Sequence, residues 1–220
     1  LPIDNKIIAA AIEKAKQTEK KKFNQTVDIV FTLREFDPKK AENKINELVE
    51  LPNPLNKKIN ICVIGSSQLA LEAKKAGADR VIQRDELEAL GKDKKAARKL
   101  ANEYEFFISE ASLMPVVGKS IGVFLGPRGK MPTPVQPNVP IGSVIERYRK
   151  IVKLRVKDQP MIQCKVGTED MPTDKIVENI QTVFRRLEEK LEHGVKSIGA
   201  IYVKTTMGKP VKVEFGEKRQ

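Results

Sequence analysis

Apolar residues follow two different rhythms along this chain. From about position 4 to 57, and again after about 152, they fall at every second position or on one face of a helical repeat. Between 58 and 152 they come in near-continuous runs punctuated by Gly. In the first stretch, Ile7, Ile8, Ala11, Ile12 and Ala15 form one face of a helix that starts at Asp4, a suitable N-cap, and ends near Gln17. Val27, Ile29, Phe31 and Leu33 then alternate with Thr26, Asp28, Val30 and Thr32, which predicts a strand with one apolar face. Asp37-Pro38-Lys39-Lys40 predicts a turn, and residues 45–51 a second strand stopped by Pro52 and Pro54.

The middle of the chain reads differently. INICVIGSS has the profile of a strand buried on both faces. A helix closed by Gly77, a short strand at Val81-Ile82, a helix over 92–101 and a strand over 106–108 follow. Then come the apolar segment VVGKSIGVFLG, the Gly- and Pro-dense loop GPRGKMPTPVQPNVP, and a helix over 141–151 carrying Val144, Ile145, Tyr148 and Ile151. Strands alternating with helices predict a three-layer α/β sandwich with a largely parallel sheet. After 152, KLRVKD and MIQCKVG alternate as strands, and a long helix follows. Thr173 is expected to cap it, Ile176, Ile180, Val183, Phe184, Leu187 and Leu191 to form its stripe, and Gly194 to end it. In the last strand Ile201, Val203 and Thr205 alternate with Ala200, Tyr202 and Lys204. Met207-Gly208 breaks that pattern, and Val211, Val213 and Phe215 begin another.

The predicted fold class is therefore mixed α+β and α/β in two domains. Residues 1–57 and 153–220 form one α+β domain from both termini, and 58–152 form an inserted, Rossmann-like three-layer α/β domain. The two crossings, at 56–58 and 152–153, would behave as a hinge pair.

Charge narrows the partners. Forty-one basic against 29 acidic residues give +12 and a pI near 9.6, which points to a polyanion: nucleic acid first, an anionic membrane surface second. The excess is spread about evenly over the two parts, so it does not say which one binds. No apolar run approaches the ~18–20 residues of a membrane span. The mixed-charge start lacks the features of a signal peptide, so the expected location is cytoplasmic. Cys62 and Cys164 stand apart and His193 is the sole histidine, so neither a metal site nor a cofactor is expected.

Enzyme chemistry is sparse. The Gly65-Ser66-Ser67 turn resembles the start of a nucleotide-binding unit but has neither GxGxxG nor GxxxxGK[ST]. The alternative function is thus an α/β enzyme acting on a nucleotide or phosphosugar. In GPRGKMPTP, Arg128 and Lys130 are spaced to point outward together as a secondary RNA contact. The strongest constellation lies in the terminal part. KKKFNQT enters one strand, KTTMGKP leaves another, and Val166-Gly167-Thr168 ends a third. Side by side, these would offer Lys22 and Lys204 to phosphates, and Thr26, Thr168, Thr205 and Thr206 to 2′-hydroxyls and backbone. Phe23 and Met207 would pack on sugar or base, and Gly208 would let the backbone approach. Taken alone, KTTMGKP reads first as an ordinary hairpin with a Gly turn, and the other motifs are what turn it into a contact surface.

FNQTVDI, LGPRGKMPTPV and IYVKTTMGKPV, in this order and spacing, resemble the ribosomal protein L-one family, closest to its archaeal branch. The resemblance covers essentially the whole chain, and it implies a split β-α-β domain built from both termini with an α/β domain inserted. It implies a non-enzymatic constituent of the large ribosomal subunit, at the stalk beside the tRNA exit site, that is monomeric outside the ribosome. It further implies binding to large-subunit rRNA, assistance in releasing deacylated tRNA, and repression of translation through the protein's own mRNA. The implied contacts are Lys22, Phe23, Thr26, Asp28, Gly167, Thr168, Thr206, Met207 and Gly208. Ala200 stands where many relatives have Ser, which removes a hydroxyl from that position.

Overall fold

The computed structural model describes residues 4–17, 21–34, 45–136, 139–156, 159–191 and 193–214. The expected turn at 37–40 and the final Phe215 lie outside them. The chain divides into two compact units, Leu1–Lys57 with Lys150–Gln220, and Lys58–Arg149.

In the terminal unit, helix α1 (Asn5–Lys16) starts where Asp4 accepts the Lys6 N–H at 3.0 Å. Strand β1 (Thr26–Leu33) is one of two inner strands of an antiparallel sheet whose order is β10-β9-β1-β8. Its neighbours are β8 (Met161–Thr168) and β9 (Ile198–Thr205), with β10 (Val211–Val213) outermost. Val27, Ile29, Phe31 and Leu33 are buried, and the intervening side chains are half-exposed, as the period of two requires. The buried face packs on α1 and on helix α8 (Thr173–Lys190), where Phe31 meets Phe184 with ring centroids 6.4 Å apart. A separate antiparallel pair joins β2 (Asn46–Glu50) to β7 (Ile151–Arg155).

Two local expectations shift. The helix expected over 141–151 stops at Tyr148, and Ile151 instead opens β7 opposite Glu50. The Leu51 N–H donates to the Lys150 carbonyl at 2.9 Å, so strand pairing draws residues 150–152 into the terminal unit. Thr173 is the first residue of α8, not its cap. Pro172 holds the cap position, and no side chain bonds there.

A β-bulge shapes the end of β8. Asp28 faces Lys165 but Val27 faces Gly167, so Val166 is the extra residue. The bulge turns Gly167 from the open face to the covered one, where a Cβ would lie 2.7 Å from Ile176 Cγ1. Asn179, fully buried in the middle of α8, holds this irregularity in place. Its amide nitrogen donates to the Val166 carbonyl at 2.8 Å and the Asn53 carbonyl at 3.0 Å, and its oxygen accepts the Asn53 N–H at 3.0 Å.

The inserted unit has a parallel sheet in the order β4-β3-β5-β6. Strand β3 (Ile61–Ile64) is buried at every position, as its unbroken apolar run requires. Around it lie β4 (Arg80–Ile82), β5 (Phe106–Glu110) and β6 (Thr133–Val135), whose Pro134 is tolerated because β6 is an edge. Helices α2 (Ser67–Lys75) and α7 (Ile141–Tyr148) pack together. A second group comprises α3 (Arg84–Lys92), α4 (Lys94–Glu103), α5 (Met114–Ser120) and α6 (Gly122–Leu125). The apolar segment after 114, which carried no assignment in the sequence, forms the last two of these helices. Among the described residues no helix is long and apolar enough to cross a membrane.

Candidate nucleic-acid interface

The strand register brings three separated sequence motifs to one end of the terminal sheet. Thr26 faces Thr168 on one side of β1, and Val27 faces Thr205 on the other. FNQT, KVGT and KTTMG therefore converge although they lie about 140 and 180 residues apart.

Short hydrogen bonds join them. The Thr26 N–H donates to Thr206 Oγ1 at 3.1 Å, and the same hydroxyl donates to the Thr26 carbonyl at 3.3 Å. The turn after β9 closes with the Gly208 N–H on the Thr205 carbonyl at 3.1 Å. Gln25, fully buried, accepts the Met207 N–H on its side-chain oxygen at 3.1 Å and donates to the Glu169 carboxylate at 3.3 Å. The Glu169 N–H returns to the Gln25 carbonyl at 2.8 Å, and Asn24 Nδ2 donates to Asp170 Oδ1 at 2.8 Å. Lys16, at the end of α1, donates to the Met171 carbonyl and tethers the same loop. With its backbone groups bonded internally, the tip is set in shape before any partner arrives.

This network leaves Lys22, Phe23 and Met207 on the outside. Phe23 is 51% exposed and Met207 66%. Next to them the open face carries the row Lys165, Asp28, Lys204, one residue from each of three adjacent strands. Burial pushes the Asp28 carboxyl above its ordinary value, against the pull of Gln163, Lys204 and Lys165. A hollow of about 580 Å³ flanks this row, lined by Asp28, Arg155, Gln159, Met161, Gln163, Cys164 and Lys165.

Several expected contacts sit elsewhere. The hydroxyls of Thr168 and Thr205 were expected at the surface, but both residues are buried, at 2% and 0% exposure. The alternation that makes β9 a strand puts Thr205 on the same face as Ile201 and Val203, so its inward position follows from the period of two. Thr26 is also buried, beneath the Thr206 turn, and the bulge points Gly167 at Ile176. These four residues build the tip, and their neighbours form its outer surface. Gln25, Lys165 and Arg155 are the additions. The outward positions in MIQCKVG and KLRVKD already marked the two cations, whereas nothing local marked Gln25.

In the inserted unit, Lys130 does not point outward with Arg128. Its ammonium donates to the Ala101 and Tyr104 carbonyls at 2.8 and 2.7 Å, serving the carboxyl end of α4. Arg128 is exposed and donates to the Phe124 carbonyl at 3.2 Å. The Gly65-Ser66-Ser67 turn is occupied from within the chain. Glu110 Oε2 accepts the Ser66 N–H at 2.9 Å and Oε1 the Ser112 hydroxyl at 2.6 Å, which hold this carboxyl below its ordinary value. A nucleotide phosphate at this turn would have to displace a carboxylate already bonded there. Both cysteines are buried, Cys62 with its thiol pushed up to about 12. Among the described residues no cluster of His, Cys, Asp and Glu could hold a metal ion.

A family model described as the Ribosomal protein L1p/L10e family matches residues 15–209, which take in all three motifs and the whole insert. The chain belongs to this family. Curated relatives agree, each named large ribosomal subunit protein uL1. The protein of Methanothermobacter thermautotrophicus is 46% identical over 94% of this chain and 98% of its own length. That of Thermofilum pendens is 47% identical over 89% and 86%, and that of Hyperthermus butylicus 42% over 97% and 98%. All three come from archaea, as the branch resemblance in the sequence implied. The relatives are named as ribosomal proteins, which gives the enzyme alternative no support.

Proposed function

We propose that this chain is a structural protein of the large ribosomal subunit, located in the cytoplasm on the ribosome, and that its terminal unit binds large-subunit rRNA through the tip where β1, β8 and β9 meet. The observation that carries this reading is the shared register of FNQT, KVGT and KTTMG, which leaves Phe23 and Met207 projecting from a rigid frame. Phe23 offers a face for a base or sugar, and Met207 a polarisable apolar tip. Lys22 and Lys204 supply charge for phosphates, while Asp28 accepts from a base amine or 2′-hydroxyl. The same surface binds the protein's own mRNA and represses its translation. On the ribosome it lies beside the exit-site tRNA and assists release of the deacylated form.

Binding of a stalk-region rRNA fragment to the full chain, followed by anisotropy, tests the reading. Base stacking on an aromatic is worth about 1–3 kcal/mol, so Phe23→Ala should weaken binding by about tenfold or more. Met207→Ala should weaken it in the same direction with an unchanged melting temperature, since neither side chain is in the core. Unaltered affinity in both variants would count against this surface. A leader transcript of the protein's own mRNA should compete with the fragment and lose affinity in the same variants.

A further inference from the structure

A second basic surface lies in the inserted unit, centred on α4, and of the two cations that the sequence nominated only Arg128 joins it. Lys94, Lys95, Arg98 and Lys99 are all exposed, and none forms an ion pair with a described residue. Their placement opposes the helix dipole. The preceding helix, α3, has Asp85 and Glu86 in its first turn and Lys92 in its last, the order the dipole favours. In α4 the cations fill the first two turns, no acid lies in the first turn, and no base in the last. The Asp93 carboxylate beside them is engaged in capping, accepting the Lys95 and Ala96 N–H groups at 2.9 and 3.2 Å.

The surface continues beyond the helix. The Arg98 guanidinium lies over the Phe124 ring, 6.0 Å from its centroid, and Arg128 bonds the carbonyl of the same residue. Phe124 is thus met by one arginine on its ring and by another on its backbone carbonyl, with Val123 74% exposed next to it. A guanidinium stacked on a ring keeps its N–H edge for bidentate bonding to a phosphate. Of the apolar residues of α4, Ala97, Leu100 and Ala101 are in the core and Ala96 packs against it, so the helix has no apolar face to insert into a lipid surface. What remains is a cationic, weakly apolar plate suited to a polyanion backbone.

We propose that the outer face of α4, together with Arg98, Phe124 and Arg128, binds the phosphate backbone of double-stranded RNA without reading its sequence. The site is separate from the tip of the terminal unit and does not depend on that assignment. The test uses the full chain and a labelled RNA duplex of about 20 base pairs and arbitrary sequence, titrated with salt. The triple variant Lys95→Gln, Arg98→Gln, Lys99→Gln should weaken duplex binding by about tenfold or more at roughly 0.1 M salt. It should also reduce the slope of log affinity against log salt by roughly 2 to 3, one counterion for each cation removed. Removing these charges relieves the opposed dipole, so the melting temperature should hold or rise, and Arg98→Lys alone should keep the salt slope. An unaltered affinity and slope in the triple variant would overturn the proposal. So would a loss of binding to phosphatidylserine vesicles with duplex binding intact. If Met207→Ala abolishes duplex binding and the triple variant does not, the α4 site fails while the terminal reading stands.

Discussion

The two units use their sheets in opposite ways. The terminal sheet is antiparallel, with helices on one face and half-exposed side chains on the other, and its strand ends project Phe23 and Met207 outward. The inserted sheet is parallel, and its central strand is buried on both faces. At the carboxyl end of β5 Glu110 turns inward to the Ser66 N–H, and in the loop before β6 Lys130 turns inward to the end of α4. In other α/β proteins the carboxyl ends of parallel strands are where ligands bind. Here that rim is satisfied from within, and the tip of the antiparallel sheet presents groups to a partner. Architecture sets where a site is permitted, and the pairing of local polar groups decides whether one is left open.

The contrast can be broken most strongly through the cores. Phe31 is fully buried against α8, so Phe31→Ala should cost about 3–5 kcal/mol. If the units are independently stable, calorimetry should show the terminal transition falling while the inserted one stays put. A single transition moving as a whole would show the units to be energetically coupled.

A smaller effect tests the inward-turned cation. Lys130→Met removes two charge-assisted bonds to carbonyls, with an expected cost of about 1.5–3 kcal/mol. Chemical denaturation should register that loss in the inserted unit, with rRNA-fragment affinity unchanged. Lost affinity without lost stability would return Lys130 to the surface role its spacing suggested.

The smallest effect concerns Asp28. Burial raises its native value above the unfolded one, so the folded state holds the proton more firmly. Stability therefore falls as pH rises from below the ordinary carboxylate range through the raised native value. Asp28→Asn should melt slightly above the parent chain at neutral pH, by less than about 1 kcal/mol for a group this exposed. The difference should close as the solution is acidified through that range. A lower melting point at neutral pH would mean that Lys165 and Lys204 outweigh the burial.

Residue periodicity was enough to place β1, β3, β8, β9 and α8, because apolar spacing at two or 3.6 residues must match the face being buried. It also contained the answer for Thr205, whose neighbours Val203 and Ile201 mark the inward face. The FNQT and TTMG motifs identified the stretches that matter. Which side chain in each stretch faces outward was a separate question. The bulge at Val166 reverses Gly167, and no local pattern announces an extra residue in one strand. Gln25 and Asn179 are polar residues in fully buried positions, and they become intelligible only once their distant partners are in place. Lys130 was misplaced for the same reason, since the carbonyls it binds end a helix about 30 residues earlier in the chain.

The chain by itself determined most of the elements and their apolar faces, the division into a terminal unit and an insert, and the motifs by which it belongs to its family. These follow from spacing and residue type, which act over a few neighbouring positions. Only the tertiary structure decided which polar groups are consumed inside the fold and which remain for a partner. A hydrogen bond across about 180 residues depends on strand order and register, and those are set by the packing of the whole sheet.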